Sequence, residues 1–339
     1  MLEPLPRMNR KLSPGRLGFY EYIMCLECPV GGLSNQKVLE SGKLPSNVPT
    51  KQQIIGNIYH ELMEQASTSM ERREFLVLAE KLIDRNEIQF ADFIRENKLG
   101  RIKSWSGITK SIRAALEVCN RSMLEKAAKP TPVSLKSPDG RFIGIPDKFY
   151  IEGLVGYITE YKSADLYLEG KLNAKYLEQV KFYSTLAHLV YPELEKFQCV
   201  VKSLNGKSET RSFCADELED YYEKISDDYE EIALGLNTFD KNFIEDLCIY
   251  CDKAVICSEF EKKSISLATR KSIFLFSGLV TNLQPNGEYV FIETEKYGLT
   301  VAESVAKDIS IGKIYTFYRL TKRNNGELVW GTRSGIYEH

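Results

Sequence analysis

Apolar and polar positions change period along this chain, and each change marks an element. Over residues 51–70 and 70–97, apolar residues recur at three- and four-residue spacing, which predicts two helices, the second dense in charge. Residues 103–126 continue the helical pattern with Trp105 and several basic side chains. Residues 142–150 and 155–163 are instead rich in aromatic and β-branched residues. Glu152-Gly153-Leu154 between them is a turn signal, so they predict a hairpin. Helical spacing returns over 171–190 through Leu172, Tyr176, Leu177, Val180, Tyr183, Leu186 and Ala187, and a strand at 197–204 and a charged helix at 216–236 follow. Beyond residue 272 the chain reads as short strands at 273–283, 289–293, 299–303, 314–320 and 328–332. They are separated by Asn286-Gly287, Gly298, Gly312 and Asn325-Gly326, a pattern that predicts a small β-barrel. The expected organisation is an N-terminal arm over 1–50, a helical part over 51–129, an alternating α/β core over 130–260 and a barrel over 265–339.

The hairpin carries the chemistry. A two-residue loop at Gly153-Leu154 places Asp147 opposite Glu160, whereas a four-residue loop from Gly153 to Gly156 places Asp147 opposite Lys162. In either register the three side chains share one face, because strand side chains alternate. Two carboxylates facing each other repel unless a cation lies between them, and hard oxygen ligands suit Mg²⁺ or Mn²⁺. Such an ion polarises a phosphoryl oxygen and lowers the pKa of a bound water, and Lys162 adds a compact positive charge beside both. Tyr161 points its side chain to the opposite face, which leaves its backbone carbonyl as a further ligand. The bland alternative is a solvated stripe on a half-exposed hairpin. Gln179 and Tyr183 share a helix face, placed to hold the lysine or touch a nucleic-acid backbone. Upstream, Gly56, His60 and Glu64 stack at four-residue spacing, and His60 is one of only three histidines, a candidate metal ligand from outside the hairpin.

Gly56-x-x-x-His60-x-x-x-Glu64, Gly144-x-x-Asp147, Glu160-x-Lys162 and Gln179-x-x-x-Tyr183, in this order, resemble the PD-(D/E)XK nucleases of the RecB type. The resemblance implies a restriction-endonuclease-like fold, a mixed sheet flanked by helices. It also implies catalysis by Asp147, Glu160 and Lys162, metal ligation by His60, Asp147, Glu160 and the Tyr161 carbonyl, and substrate contact by Gln179 and Tyr183.

Eight cysteines in a chain this long do not read as a disulfide scaffold. Cys248-x-x-Cys251-x5-Cys257 is a tight cluster, and Cys25-x-x-Cys28-Pro29 lies far upstream. Thiolates select zinc or an iron–sulfur cluster, and two local pairs, Cys25/Cys28 and Cys248/Cys251, would meet the zinc pattern. The iron–sulfur members of the RecB-type family, which include CRISPR-associated exonucleases and AddB-type subunits, place one cysteine, commonly followed by proline, before the core and three after it. That likeness, with Ser13-Pro14-x-Arg16-Leu17 upstream, implies a 4Fe–4S cluster on Cys28, Cys248, Cys251 and Cys257, with Cys25 as rival to Cys28. Cys119, Cys199 and Cys214 are expected to be buried thiols.

Composition constrains partners only weakly. Lys and Arg number 45 against 47 acidic residues, a formal charge of −2, so nucleic-acid binding would have to rely on a local basic groove and metal ions. No apolar run predicts a membrane span, and the N-terminus lacks an apolar signal core, which predicts a cytoplasmic protein. Gly312-Lys313-x-Tyr315-x-Phe317 with Arg319, Lys322 and Arg323 looks like an OB-fold strand whose aromatic and basic side chains would stack on and contact single strands; protein contact is the alternative use. These readings converge on a divalent-metal-dependent deoxyribonuclease acting as an exonuclease on single-stranded DNA in repair, recombination or CRISPR- and phage-related processing. Without a Walker A motif, unwinding would require a helicase partner. The rival class is a single-strand-binding protein on a nuclease-like scaffold.

Overall fold

The computed structural model describes residues 4–9, 11–42, 44, 51–65, 71–96, 133–163, 165–168, 171–203, 207–237, 248, 251–267, 272–323, 327–331 and 334–339. The expected helix at 103–126, with Trp105 and Cys119, lies outside these residues, as does the side chain of Glu64.

A four-stranded mixed sheet positions the site. Strand β1 (Lys148–Glu152) is antiparallel to β2 (Val155–Lys162), β2 is parallel to β3 (Lys196–Ser203), and β3 is antiparallel to β4 (Ser208–Cys214). The β1–β2 turn is the two-residue one: Glu152 pairs with Val155 and Lys148 with Thr159. Gly153 has φ +60° while Leu154 stays at negative φ, the signature of a type II′ turn, which requires glycine at its first central position. The expected single strand over 142–150 is broken instead. Ile143–Gly144 pairs with Leu135–Lys136, and β1 begins only at Lys148. Pro146, which has no N–H for a ladder, separates the two pieces and leaves Asp147 just outside the β1–β2 pairing.

The parallel β2–β3 connection needs a crossover, and helix α4 (Ala174–Val190) supplies it. It starts at Ala174 rather than 171 because the Asn173 side chain caps it, accepting from the Lys175 N–H at 3.1 Å. Val180, Phe182, Tyr183, Leu186 and Ala187 bury its inner face against the sheet. Helix α1 (Phe19–Glu27) is built into the same core: Phe19 lies 5.6 Å from Phe182 between ring centres, and Tyr22 and Phe142 are fully buried. Helix α5 (Ala215–Asn237) completes this layer, with Tyr22 hydroxyl donating to Asp228. On the other face, α2 (Lys51–Gln65) packs against α3 (Arg72–Glu96) through Ile54, Ile58, Leu62, Phe75 and Leu82, and its Tyr59 and Met63 cover Tyr161 of β2.

After helix α6 (Ser258–Leu267), strands β5 (Ser272–Asn286), β6 (Tyr289–Thr294), β7 (Gly298–Ala302), β8 (Ile314–Lys322), β9 (Leu328–Val329) and β10 (Gly335–Glu338) form one further sheet. Its neighbours run β5–β6–β7–β9–β8–β10, β8 also pairs with β5, and only β7–β9 is parallel. Tyr315 and Phe317, expected as stacking surfaces, are both fully buried in this unit's core; the exposed aromatic side chains are Tyr289 and Phe291 on β6. Leu44, Val255, Phe260, Leu275 and Tyr337 tie the segment after Cys251 to the strands. Among the described residues no helix is long and apolar enough to cross a membrane.

Gly144 is where the break in the strand meets the site. A Cβ there would lie 2.7 Å from the Tyr183 ring. Gly144→Ala is therefore predicted to lower unfolding stability by about 1–3 kcal/mol, measured by urea denaturation, because the ring and Leu186 beneath it cannot both give way.

Candidate active site

Lys162 and Glu160, alternate residues of β2, point toward α4 and are buried, 8 % and 4 % exposed. The Lys162 ammonium donates to Glu160 Oε1 at 2.7 Å and to Gln179 Oε1 at 2.6 Å. The Gln179 amide completes the ring of bonds, donating to the same Glu160 oxygen at 2.9 Å and to the Tyr183 hydroxyl at 2.8 Å. Gln179, 2 % exposed, and Tyr183, also buried, thus stand behind the lysine and hold it. Of the two uses expected for this pair, these contacts are those of holding the lysine.

Asp147 is gripped from two sides. Its Oδ2 accepts from the Tyr161 N–H at 2.7 Å, and its Oδ1 lies 3.1 Å from His60 Nδ1 on α2. Gly56, one turn before His60, brings α2 close to the end of β2: a Cβ there would lie 3.1 Å from Ser163 Oγ. The structure therefore brings together five of the expected groups, Asp147, Glu160, Lys162, Gln179 and His60, with Tyr161 and Tyr183 at their backs.

Two further residues, Tyr20 and Tyr176, join them. Tyr20 on α1 places its hydroxyl 3.3 Å from Lys162 Nζ and 3.1 Å from Gln179 Oε1, and the rings of Tyr20 and Tyr176 lie 5.8 and 5.3 Å from the ammonium. Tyr20 sits between Arg16 and Cys28, and no local spacing in that segment links it to the hairpin or to Gln179.

The electrostatics are those of a crowded carboxylate pair. Burial pushes Glu160 up to about 7, and the charge of Asp147 pushes the same way, while Lys162 opposes both. Burial works against a charged His60, but its hydrogen bond to Asp147 and the nearby carboxylates outweigh this and raise it. Burial likewise opposes the Lys162 charge and Glu160 outweighs it.

Glu160 Oε2 is buried and has no hydrogen-bond partner among the described residues. A buried carboxylate oxygen without a donor, beside a second carboxylate that raises its pKa, fits a divalent cation. Among the described residues no three His, Cys, Asp or Glu side chains are grouped closely enough to hold a metal ion, neither Asp147, Glu160 and His60 nor the cysteines Cys28, Cys248, Cys251 and Cys257.

The cysteines divide. Cys251 is pushed up to about 11 by burial, with Lys253 opposing and the charge of Cys28 adding, so the structure brings the upstream Cys28 near the downstream segment. Cys28 Sγ accepts from the Gly31 N–H at 3.3 Å, and Cys251 N–H donates to the Cys248 carbonyl at 3.2 Å. Cys25 is buried against Gly32 and its thiol donates to the Pro29 carbonyl at 3.5 Å; burial pushes it up to about 12. Cys199 is buried as expected, beside Ser184, but Cys214 is exposed at the end of edge strand β4, a correction to its expected burial.

A sequence model of the PD-(D/E)XK nuclease superfamily matches residues 36–258, about two thirds of the chain. The chain belongs to this superfamily, whose members generally use Mg²⁺ or Mn²⁺, so it is of the metal-dependent nuclease class, with nucleic acid as substrate. Among curated proteins no match was found, and none among solved structures.

Both the raised Glu160 and the raised His60 make the metal-free fold bind more protons than the unfolded chain between their unfolded and folded values. Stability is thus fully present below about pH 4.5 for Glu160 and falls as pH rises through about 7. Thermal unfolding in chelator is predicted to show a falling melting temperature from pH 5 to pH 8, and Glu160→Gln is predicted to flatten that slope.

Proposed function

We propose that this protein is a divalent-metal-dependent deoxyribonuclease that acts as an exonuclease on single-stranded ends. The observation that carries the metal site is the unpartnered Glu160 Oε2 beside Asp147. Asp147 and Glu160 would hold Mg²⁺ or Mn²⁺, with His60 and the Tyr161 carbonyl as further ligands. The ion supplies a water of lowered pKa and a polarised phosphoryl oxygen.

The protein's own part is positional. Gln179, Glu160 and Tyr20 fix the Lys162 ammonium at one place, so its charge faces the developing negative charge without reorganising. Tyr161 N–H and His60 keep the Asp147 carboxylate oriented toward the same region.

Cys28, Cys248, Cys251 and Cys257 are proposed to hold a 4Fe–4S cluster, with Cys25 as alternative to Cys28 and zinc as the alternative metal. What supports this reading is the spacing of Cys28-Pro29 before the core and Cys248-x-x-Cys251-x5-Cys257 after it, with the charge of Cys28 felt at Cys251. Such a cluster would stabilise by restricting the unfolded chain. The β5–β9 unit is proposed to be an OB-type barrel. What supports this is its ladder order, with β8 returning to β5 and a single parallel β7–β9 pair. Its strand-binding face would use Tyr289 and Phe291 rather than the buried Tyr315 and Phe317.

Cleavage of end-labelled single-stranded DNA should require Mg²⁺ or Mn²⁺ and fall at least about 100-fold in Asp147→Ala and Lys162→Ala. Undiminished cutting by either variant sinks the mechanism, and strand binding without cleavage under any metal favours a binding scaffold. Protein purified without oxygen should be brown with a broad visible absorbance, lost in Cys251→Ser; a colourless protein carrying zinc would replace the cluster assignment.

A further inference from the structure

Tyr20 combines two properties that rarely meet in one side chain. Its hydroxyl is bound inside the site, to Lys162 and Gln179, yet the residue is 58 % exposed. Its neighbours on α1 explain how an exposed ring can be fixed. Phe19 is buried against Phe182, and Tyr22 is buried with its hydroxyl on Asp228, so the helix that carries Tyr20 cannot shift. With the backbone fixed at one end and the hydroxyl at the other, the ring has little freedom left to lose.

We propose that Tyr20 is the strand-positioning residue of this nuclease: its hydroxyl holds Lys162, and its exposed ring is the platform on which the unpaired base beside the scissile phosphate stacks. An aromatic face already ordered in the free protein binds a base at low entropic cost, and every base offers a π-face, so the contact is independent of sequence. A base within a duplex is already stacked on both sides and presents only its edges, so the same contact selects unpaired strands. The Tyr176 ring also lies against the ammonium, 5.3 Å from it. The inference rests on the proposed nuclease reading of the site, and it deepens that reading by naming the element that recognises single strands.

The test compares the native 339-residue protein with Tyr20→Phe and Tyr20→Leu, each checked to be folded at the assay temperature. Affinity is measured by fluorescence anisotropy of a short labelled strand, and cleavage is followed with Mg²⁺. Tyr20→Leu is expected to weaken single-strand binding roughly tenfold. Tyr20→Phe should bind as tightly as the native protein but turn over more slowly, with KM unchanged, because only the hydroxyl on Lys162 is lost. Scanning one abasic site along the strand should weaken native binding at one position by the same factor and leave Tyr20→Leu indifferent there. Duplex binding should be equal in the two proteins.

Native binding insensitive to an abasic site at every position, or Tyr20→Leu with native affinity, overturns the assignment of Tyr20 even where cleavage proceeds. A Tyr20-dependent, abasic-sensitive affinity without cleavage under any metal upholds Tyr20 and overturns the nuclease reading instead.

Discussion

The buried pair of Lys162 and Glu160 is the constraint around which the nuclease unit is arranged. Taking both charges out of water is costly, and their mutual attraction offsets that cost only with good geometry and satisfied hydrogen bonds. The fold supplies those bonds from distant parts of the chain: Gln179 from the crossover helix and Tyr20 from the N-terminal helix. Tyr183 anchors Gln179, and it can do so because Gly144 leaves room for its ring. Losing any one of these partners would leave a polar group buried without its donor or acceptor.

The arrangement is incomplete in one direction only. Lys162 is surrounded by acceptors and ring faces, and Asp147 has a donor on each oxygen, but Glu160 Oε2 has none among the described residues. Natural proteins retain an unsatisfied buried carboxylate oxygen where a ligand completes it. On the proposed reading stability and chemistry are opposed here, since the burial and carboxylate repulsion that raise Glu160 would be relieved by a divalent ion. The formal charge of −2 fits this economy: affinity for a phosphate chain would come from the ion, one fixed lysine and stacking rather than from a basic surface.

Much of this was legible in the sequence, for physical reasons that can be named. Gly153-Leu154 marked the hairpin but left two registers open, and the structure takes the two-residue II′ turn, from which the pairing of Lys148 with Thr159 follows. Glu160 and Lys162 share a face by strand alternation, and Gln179 and Tyr183 by helical spacing. What local pattern could not show were contacts made across the chain. Pro146 breaks the expected strand, and the segment before it turns back through Ser137-Pro138-Asp139-Gly140 to pair with Leu135–Lys136. Tyr20 lies far from Lys162 in sequence and meets it only through packing of α1 on α4. Tyr315 and Phe317 are spaced to share one face of their strand, but the spacing does not say which face is covered, and Cys214 is exposed at the end of edge strand β4.

The central claim, that Asp147 and Glu160 form a divalent-cation site, is tested most directly by calorimetric titration of the purified protein with Mn²⁺ near pH 7 in buffers of different ionisation enthalpy. The account predicts saturable binding at the site with net proton release, because the ion takes the place of the proton on Glu160, and loss of both signals in Glu160→Gln. Binding that is unchanged in Glu160→Gln, or no binding at all, would contradict it.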